Sequence, residues 1–133
     1  LMNCNLSSCQ KWFIGNAIRD ILVEDLDVSE QVGEHIYPLV APENTKGDFI
    51  VYLRQKYGRE SVKQGIYEDK CEVAVIAISE DYDRACELAS NIDAALSGRH
   101  KVSTECTVDI ILADSIESFE DNKYIETLVF SIQ

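Results

Sequence analysis

Phe49-Ile50-Val51-Tyr52-Leu53, the polar run from Arg54 to Asp69, and Cys71-Glu72-Val73-Ala74-Val75-Ile76-Ala77-Ile78 together set the architecture. The two apolar segments are rich in β-branched and aromatic residues, which suit a pleated, packed surface. Gly58 and Gly65 interrupt the polar run, so the whole reads as a long hairpin whose outer part projects from the body. An antiparallel sheet with helices on one face should alternate apolar and polar residues. These two segments are apolar on both sides. Something must therefore cover their second face, and the chain has few elements left for that. A partner subunit is the economical answer.

Upstream, Phe13, Ile14, Ala17, Ile18, Ile21 and Leu22 fall on one half of a helix over about Ser8–Val23, with Lys11, Asn16, Arg19 and Asp20 opposite. Ser7 and Gln10 have the spacing of a capping box. The acids Glu24-Asp25-Leu26-Asp27 end that helix, since negative charge is unfavourable at a helix C-terminus. Val28–Gly33 fits more than one structure, and Glu34–Tyr37 reads as a short strand. The proline-bounded segment Pro38–Gly47 is expected to be an ordered connection.

Downstream, Ser79-Glu80-Asp81 opens a second helix whose apolar face is Tyr82, Ala85, Cys86, Leu88, Ala89, Ile92, Ala95 and Leu96, closed by Ser97-Gly98. Two last strands are expected at Ser103–Ala113 and Lys123–Ile132, joined by an acidic connection from Asp114 to Asn122. The expected fold is α+β, in the order α-β-β-β-α-β-β. It has a mainly antiparallel sheet of about five strands with two helices on one face, in a single domain over residues 1–133.

The 133 residues are enough to bury one core without staples, and 46% hydrophobic with 27% charged residues is ordinary globular composition. Twenty-four acids against twelve bases give a net charge of −12. That balance repels phosphates and argues against tight nucleic-acid binding. No apolar run approaches the length of a membrane span, and Leu1-Met2-Asn3-Cys4-Asn5 has neither a basic region nor an apolar stretch, so neither membrane insertion nor secretion is expected. The five cysteines (Cys4, Cys9, Cys71, Cys86, Cys106) are odd in number and irregularly spaced, so they read as reduced thiols.

Recognisable catalytic chemistry is sparse. His35 and His100 stand at no metal-site spacing, Cys4 and Cys9 have no second pair, and phosphate loops, nucleophile elbows and His-Glu-x-x-His are missing. No catalytic, cofactor-binding or metal-binding residue is assigned, and no cofactor is expected.

Ile36-Tyr37-Pro38-Leu39-Val40-Ala41-Pro42, followed by Phe49-Ile50-Val51-Tyr52, resembles a family of small phage tail-completion, or tail-terminator-like, proteins. Similar members carry Tyr or Phe, Pro, two variable residues, Ala and Pro, then a polar turn and an aromatic strand. The order of elements resembles theirs over nearly the whole chain. Asp48 departs from the pattern, since similar sequences often carry proline there. The resemblance implies a non-enzymatic protein that caps the head-proximal end of a tail tube. Its expected partners are copies of itself in a ring, commonly hexameric, the tail-tube protein and the head-completion proteins. Its expected location is the host cytoplasm during assembly and then the virion tail. The acidic charge has a second reading in that setting, because an acidic channel lets DNA slide.

Two other readings stand beside this one. One is a non-catalytic protein-binding module that forms a small oligomer outside any virion. The other is an enzyme, whose first sign is a deep polar pocket with carboxylates or Cys71. Within the hairpin, Tyr57–Gly65 is too long and polar for a tight turn. Arg54, Lys56, Arg59 and Lys63, with Tyr57 and Val62 as apolar anchors, are assigned to subunit interaction. The tip is expected to be mobile in the isolated chain and to order against an adjacent subunit or a tail-tube partner.

Overall fold

The computed structural model describes residues 11–61, 65 and 67–133. After a 3-10 turn (Lys11–Phe13), helix α1 spans Ile14–Glu24 and α2 spans Leu26–Val32. Strands β1 (Ile36–Pro38), β2 (Phe49–Ser61) and β3 (Tyr67–Ser79) follow, then helix α3 (Tyr82–Leu96) and strands β4 (Gly98–Ser103), β5 (Cys106–Glu120) and β6 (Lys123–Ile132). The six strands form one sheet in the order β1-β2-β3-β6-β5-β4. Among the described residues only the β1–β2 pair is parallel. The fold is α+β and mainly antiparallel, as expected, with one more helix and one more strand.

The extra helix has a local cause. Asp25 leaves the helical conformation, and its carboxylate accepts a bond from the Val28 amide at 3.0 Å, so one residue ends α1 and caps α2. Val28 and Val32, one turn apart, are both buried. The capping-box pair Ser7 and Gln10 lies outside the described residues, and α1 begins at Ile14 rather than Ser8. Helix α3 starts as expected, with the Asp81 side chain accepting from the Arg84 amide at 3.0 Å.

The extra strand β4 follows directly on the Ser97 cap. Arg99 and Lys101, just beyond the helix end, are strand residues paired with Asp109 and Thr107. A larger correction concerns Asp114–Asn122. It is not a connection: β5 continues to Glu120, and only Asp121 and Asn122 turn the chain, both with positive φ (52° and 62°). Two successive positive φ values match the twist of a tight hairpin. Likewise Tyr57–Ser61 is strand, paired with Tyr67–Cys71, and a bulge between Arg54 and Lys56 re-aims the outer hairpin.

The core lies between the helices and one sheet face. Ile14, Ile18 and Leu22 of α1, Val28 and Val32 of α2, and Leu88, Ile92 and Leu96 of α3 pack on Ile50, Tyr52, Val73, Val75, Ala77, Val108, Ile110, Leu128 and Phe130. Gly15 makes room for the Tyr52 ring, because a methyl group there would stand 3.2 Å from it. Among the described residues no helix is long and apolar enough to cross a membrane.

Candidate functional site

Among the described residues the sheet has two unpaired edges, and the registers place them diagonally. Arg54, Val73, Phe130 and Leu112 stand in one line across β2, β3, β6 and β5. On one side of that line β1 covers the edge of β2, at Ile50–Tyr52. On the other side β4 covers the edge of β5, at Cys106–Ile110. Among the described residues two stretches are left without a neighbouring strand: β2 from Arg54 to Ser61 and β5 from Ile111 to Glu120. Unpaired strand edges present rows of backbone N–H and C=O groups to solvent and are templates for another strand.

The β5 edge is exposed along its whole length. Ile111 (46%), Leu112 (38%), Ile116 (58%) and Phe119 (55%) put large apolar groups into solvent there, beside Asp114, Glu117 and Glu120. The β2 edge is flanked by other exposed apolar groups. Trp12 is 66% exposed, its ring meets Tyr57 edge-on with centroids 5.4 Å apart, and the Arg54 guanidinium lies 4.5 Å over it. Arg54 Nη1 also donates to the Trp12 carbonyl at 2.9 Å. At the base of this edge the Leu39 amide donates to the Tyr52 carbonyl at 2.8 Å, and the chain then turns away. Leu39 and Val40 are about three-quarters exposed, with Leu39 at φ 66°. A non-glycine residue in that region is strained, and such strain clusters at binding sites.

The structure thus brings Arg54, Lys56, Tyr57 and Arg59 together on one edge strand and places Trp12 beside them. Val62 and Lys63 lie outside the described residues. The basic excess is partly balanced within the chain, since Arg59 pairs with Asp69 at 3.3 Å and Lys56 with Glu60 at 3.4 Å. Both pairs are exposed at the cation, where ion pairing contributes little.

The sheet face away from the helices is apolar, as the lack of alternation requires. Phe49, Val51, Ala74 and Val129 are buried on it, and Leu53, Ile76, Ile78 and Ile125 are half-buried. Part of its cover is internal. Ala41, Pro42 and Thr45 of the proline-bounded connection line a groove with Phe49, Ile78 and Ile125, where Lys123 donates to the Thr45 carbonyl at 3.2 Å.

Three other places hold chemistry-bearing groups. Cys86 Sγ and one carboxylate oxygen each from Glu117 and Glu126 lie within 4.8 Å of one another, and the Tyr82 hydroxyl donates to Glu117 at 2.8 Å. Burial, followed by the hydrogen bond and charge of Glu117, pushes Glu126 up to about 7. Cys71 is buried, and burial raises its thiol above the ordinary range, the opposite of an activated nucleophile. Cys71 and Cys86 are free thiols, whereas Cys106 is disulfide-bonded, which corrects the reading of five reduced thiols. The histidines are tied locally, His35 to the Tyr37 hydroxyl at 2.7 Å and His100 to the Leu96 carbonyl at 2.8 Å.

Asp48, the departure from the family pattern, is a structural hub. Its carboxylate accepts from Ser79 Oγ (2.7 Å), Gln31 Nε2 (2.9 Å) and Arg84 Nε (2.8 Å), tying the end of the connection to α2, β3 and α3. Burial opposes its ionisation, but the bonds from Gln31, Ser79 and Arg84 with the Arg84 charge outweigh it and hold the carboxyl below its ordinary value.

A chain in the virion of a native gene transfer agent particle superposes on this one with a TM-score of 0.74. This fold is found in a virion. The alignment covers 88% of this chain and 90% of the other, at 18% sequence identity. No family model matches the chain, and no curated protein does.

Proposed function

We propose that this chain is a structural assembly protein of a tailed phage, prophage or phage-like particle, a tail-completion protein that caps the head-proximal end of the tail tube. In this reading copies of the chain form a ring, commonly of six, that stops tube growth and meets the head-completion proteins. It acts without a cofactor or a catalysed reaction, assembling in the host cytoplasm and ending in the virion tail. The carrying observation is the pair of open sheet edges, flanked by exposed Trp12, Leu39, Ile116 and Phe119, on a fold shared with a virion chain. A monomer rarely leaves such a surface uncovered.

The test is removal of the gene from an inducible particle-producing strain, with the products viewed by electron microscopy. The reading expects unjoined heads and tails of irregular length, restored by the intact chain. Normal joined particles in its absence contradict it. The binding-module reading expects instead a small oligomer whose loss leaves particles unchanged.

A further inference from the structure

Self-assembly of this chain, the reading just proposed, leaves open which surfaces meet. We propose that copies join head to tail by strand addition, the free edge of β2 (Arg54–Ser61) in one copy pairing antiparallel with the free edge of β5 (Ile111–Glu120) in the next.

Four observations carry this. The first is direction. β3 is antiparallel to β2, β6 to β3 and β5 to β6, so β2 and β5 run oppositely within one copy. Copies related by rotation about an axis along the strands therefore present β2 and β5 to each other as antiparallel neighbours, the pairing whose hydrogen bonds run perpendicular to the strands and are slightly more stable per residue. Both free stretches are also long enough for a ladder.

The second is charge. From Ile111 to Asn122 the chain carries Asp114, Glu117, Glu120 and Asp121 and no base, whereas Arg54–Ser61 carries Arg54, Lys56 and Arg59 against Glu60 alone. Opposite charges steer and register the joint. Like charges oppose the competing two-fold joints, β5 on β5 and β2 on β2, and so select a heterologous contact that propagates around a ring.

The third is apolar surface on both sides of the joint. Ile111, Ile116 and Phe119 flank one edge, and Trp12 with the Leu39–Val40 corner flanks the other. The fourth is the diagonal placement of the edges. Bringing them together slides each copy along the strands by roughly 20 Å, about six residues, relative to its neighbour. In a closed assembly such a stagger becomes strand tilt, the ordinary way that a sheet closes on itself. β1 and β4 then act as stops that limit pairing to the free stretches.

The experiment is a charge exchange. One variant carries Lys56→Glu and Arg59→Glu, the other Glu117→Lys and Glu120→Lys, and the masses of each alone and of their equimolar mixture are followed by sedimentation beside the wild type. Each variant alone is expected to need at least tenfold higher concentration to assemble. The mixture is expected to assemble near the wild-type concentration, because in an alternating assembly every joint pairs either two native edges or two reversed edges, and both combinations are opposite in charge. Alternation also requires an even number of copies. Circular dichroism of each variant confirms folding, and the single changes Lys56→Glu and Glu120→Lys serve if a double change melts the chain. Wild-type assembly that persists in both variants, or that the mixture fails to restore, overturns the edge pairing while leaving self-assembly intact. A wild-type chain that stays monomeric at every concentration overturns both.

Discussion

Glu117 and Glu126 stand directly opposite each other in the β5–β6 ladder, under the first turn of α3, with the Tyr82 hydroxyl bonded to Glu117. Two carboxylates at this distance cannot both ionise without cost. Glu126 Oε2 is buried with no hydrogen-bond partner, and a proton held between the two acids supplies one.

Glu126 is raised from 4.5 to about 7, so between those values the folded chain holds a proton that the unfolded chain releases. Stability contributed by this proton is full below pH 4.5 and is lost as pH rises through 7. Glu126→Gln removes the titration. Its melting temperature should exceed that of the wild type at pH 8 and converge with it near pH 5. Parallel melting profiles across that range would show that the pair is solvated and uncoupled.

Asp48 makes the opposite case. Its carboxyl is held below 3.8, so its contribution is present above that value and is lost as pH falls through the lowered folded value. Asp48→Ala removes the acceptor of Ser79 Oγ and Arg84 Nε and one of the two acceptors of Gln31 Nε2, and should cost roughly 2–4 kcal/mol in denaturant unfolding. A loss under 1 kcal/mol would mean that water replaces the carboxylate.

The Asp121-Asn122 turn predicts a contrast. Asn122→Gly keeps φ 62° without strain and should leave stability within about 0.5 kcal/mol of wild type. Asn122→Val places a β-branched residue there and should cost roughly 1–2 kcal/mol. Equal melting temperatures for the two would mean that the turn relaxes to another form.

How much of this was legible follows from which signals are local. The α3 opening at Asp81 and the span of β6 were read directly, because a cap and an apolar strand each announce themselves in a few residues. The β5 extension was hidden because an edge strand exposed on both faces has no reason to alternate, so Asp114–Glu120 looks like a polar loop. The Asp121-Asn122 pair was the available signal. The same blindness affected the site: the hairpin bases Arg54, Lys56 and Arg59 were found from charge, while the acidic edge facing the other way needed the sheet order. Asp48 was noticed as a departure, but its three partners come from residues 17 to 36 positions away.

The central claim is that this chain works by closing into an oligomer, and its native mass tests that most directly. Native mass spectrometry over a hundredfold concentration range should give one discrete multiple of the chain mass, with six copies as the expected number, dissociating as salt is raised. A single-chain mass throughout, or an unbroken ladder of sizes without a preferred closed species, would contradict the account.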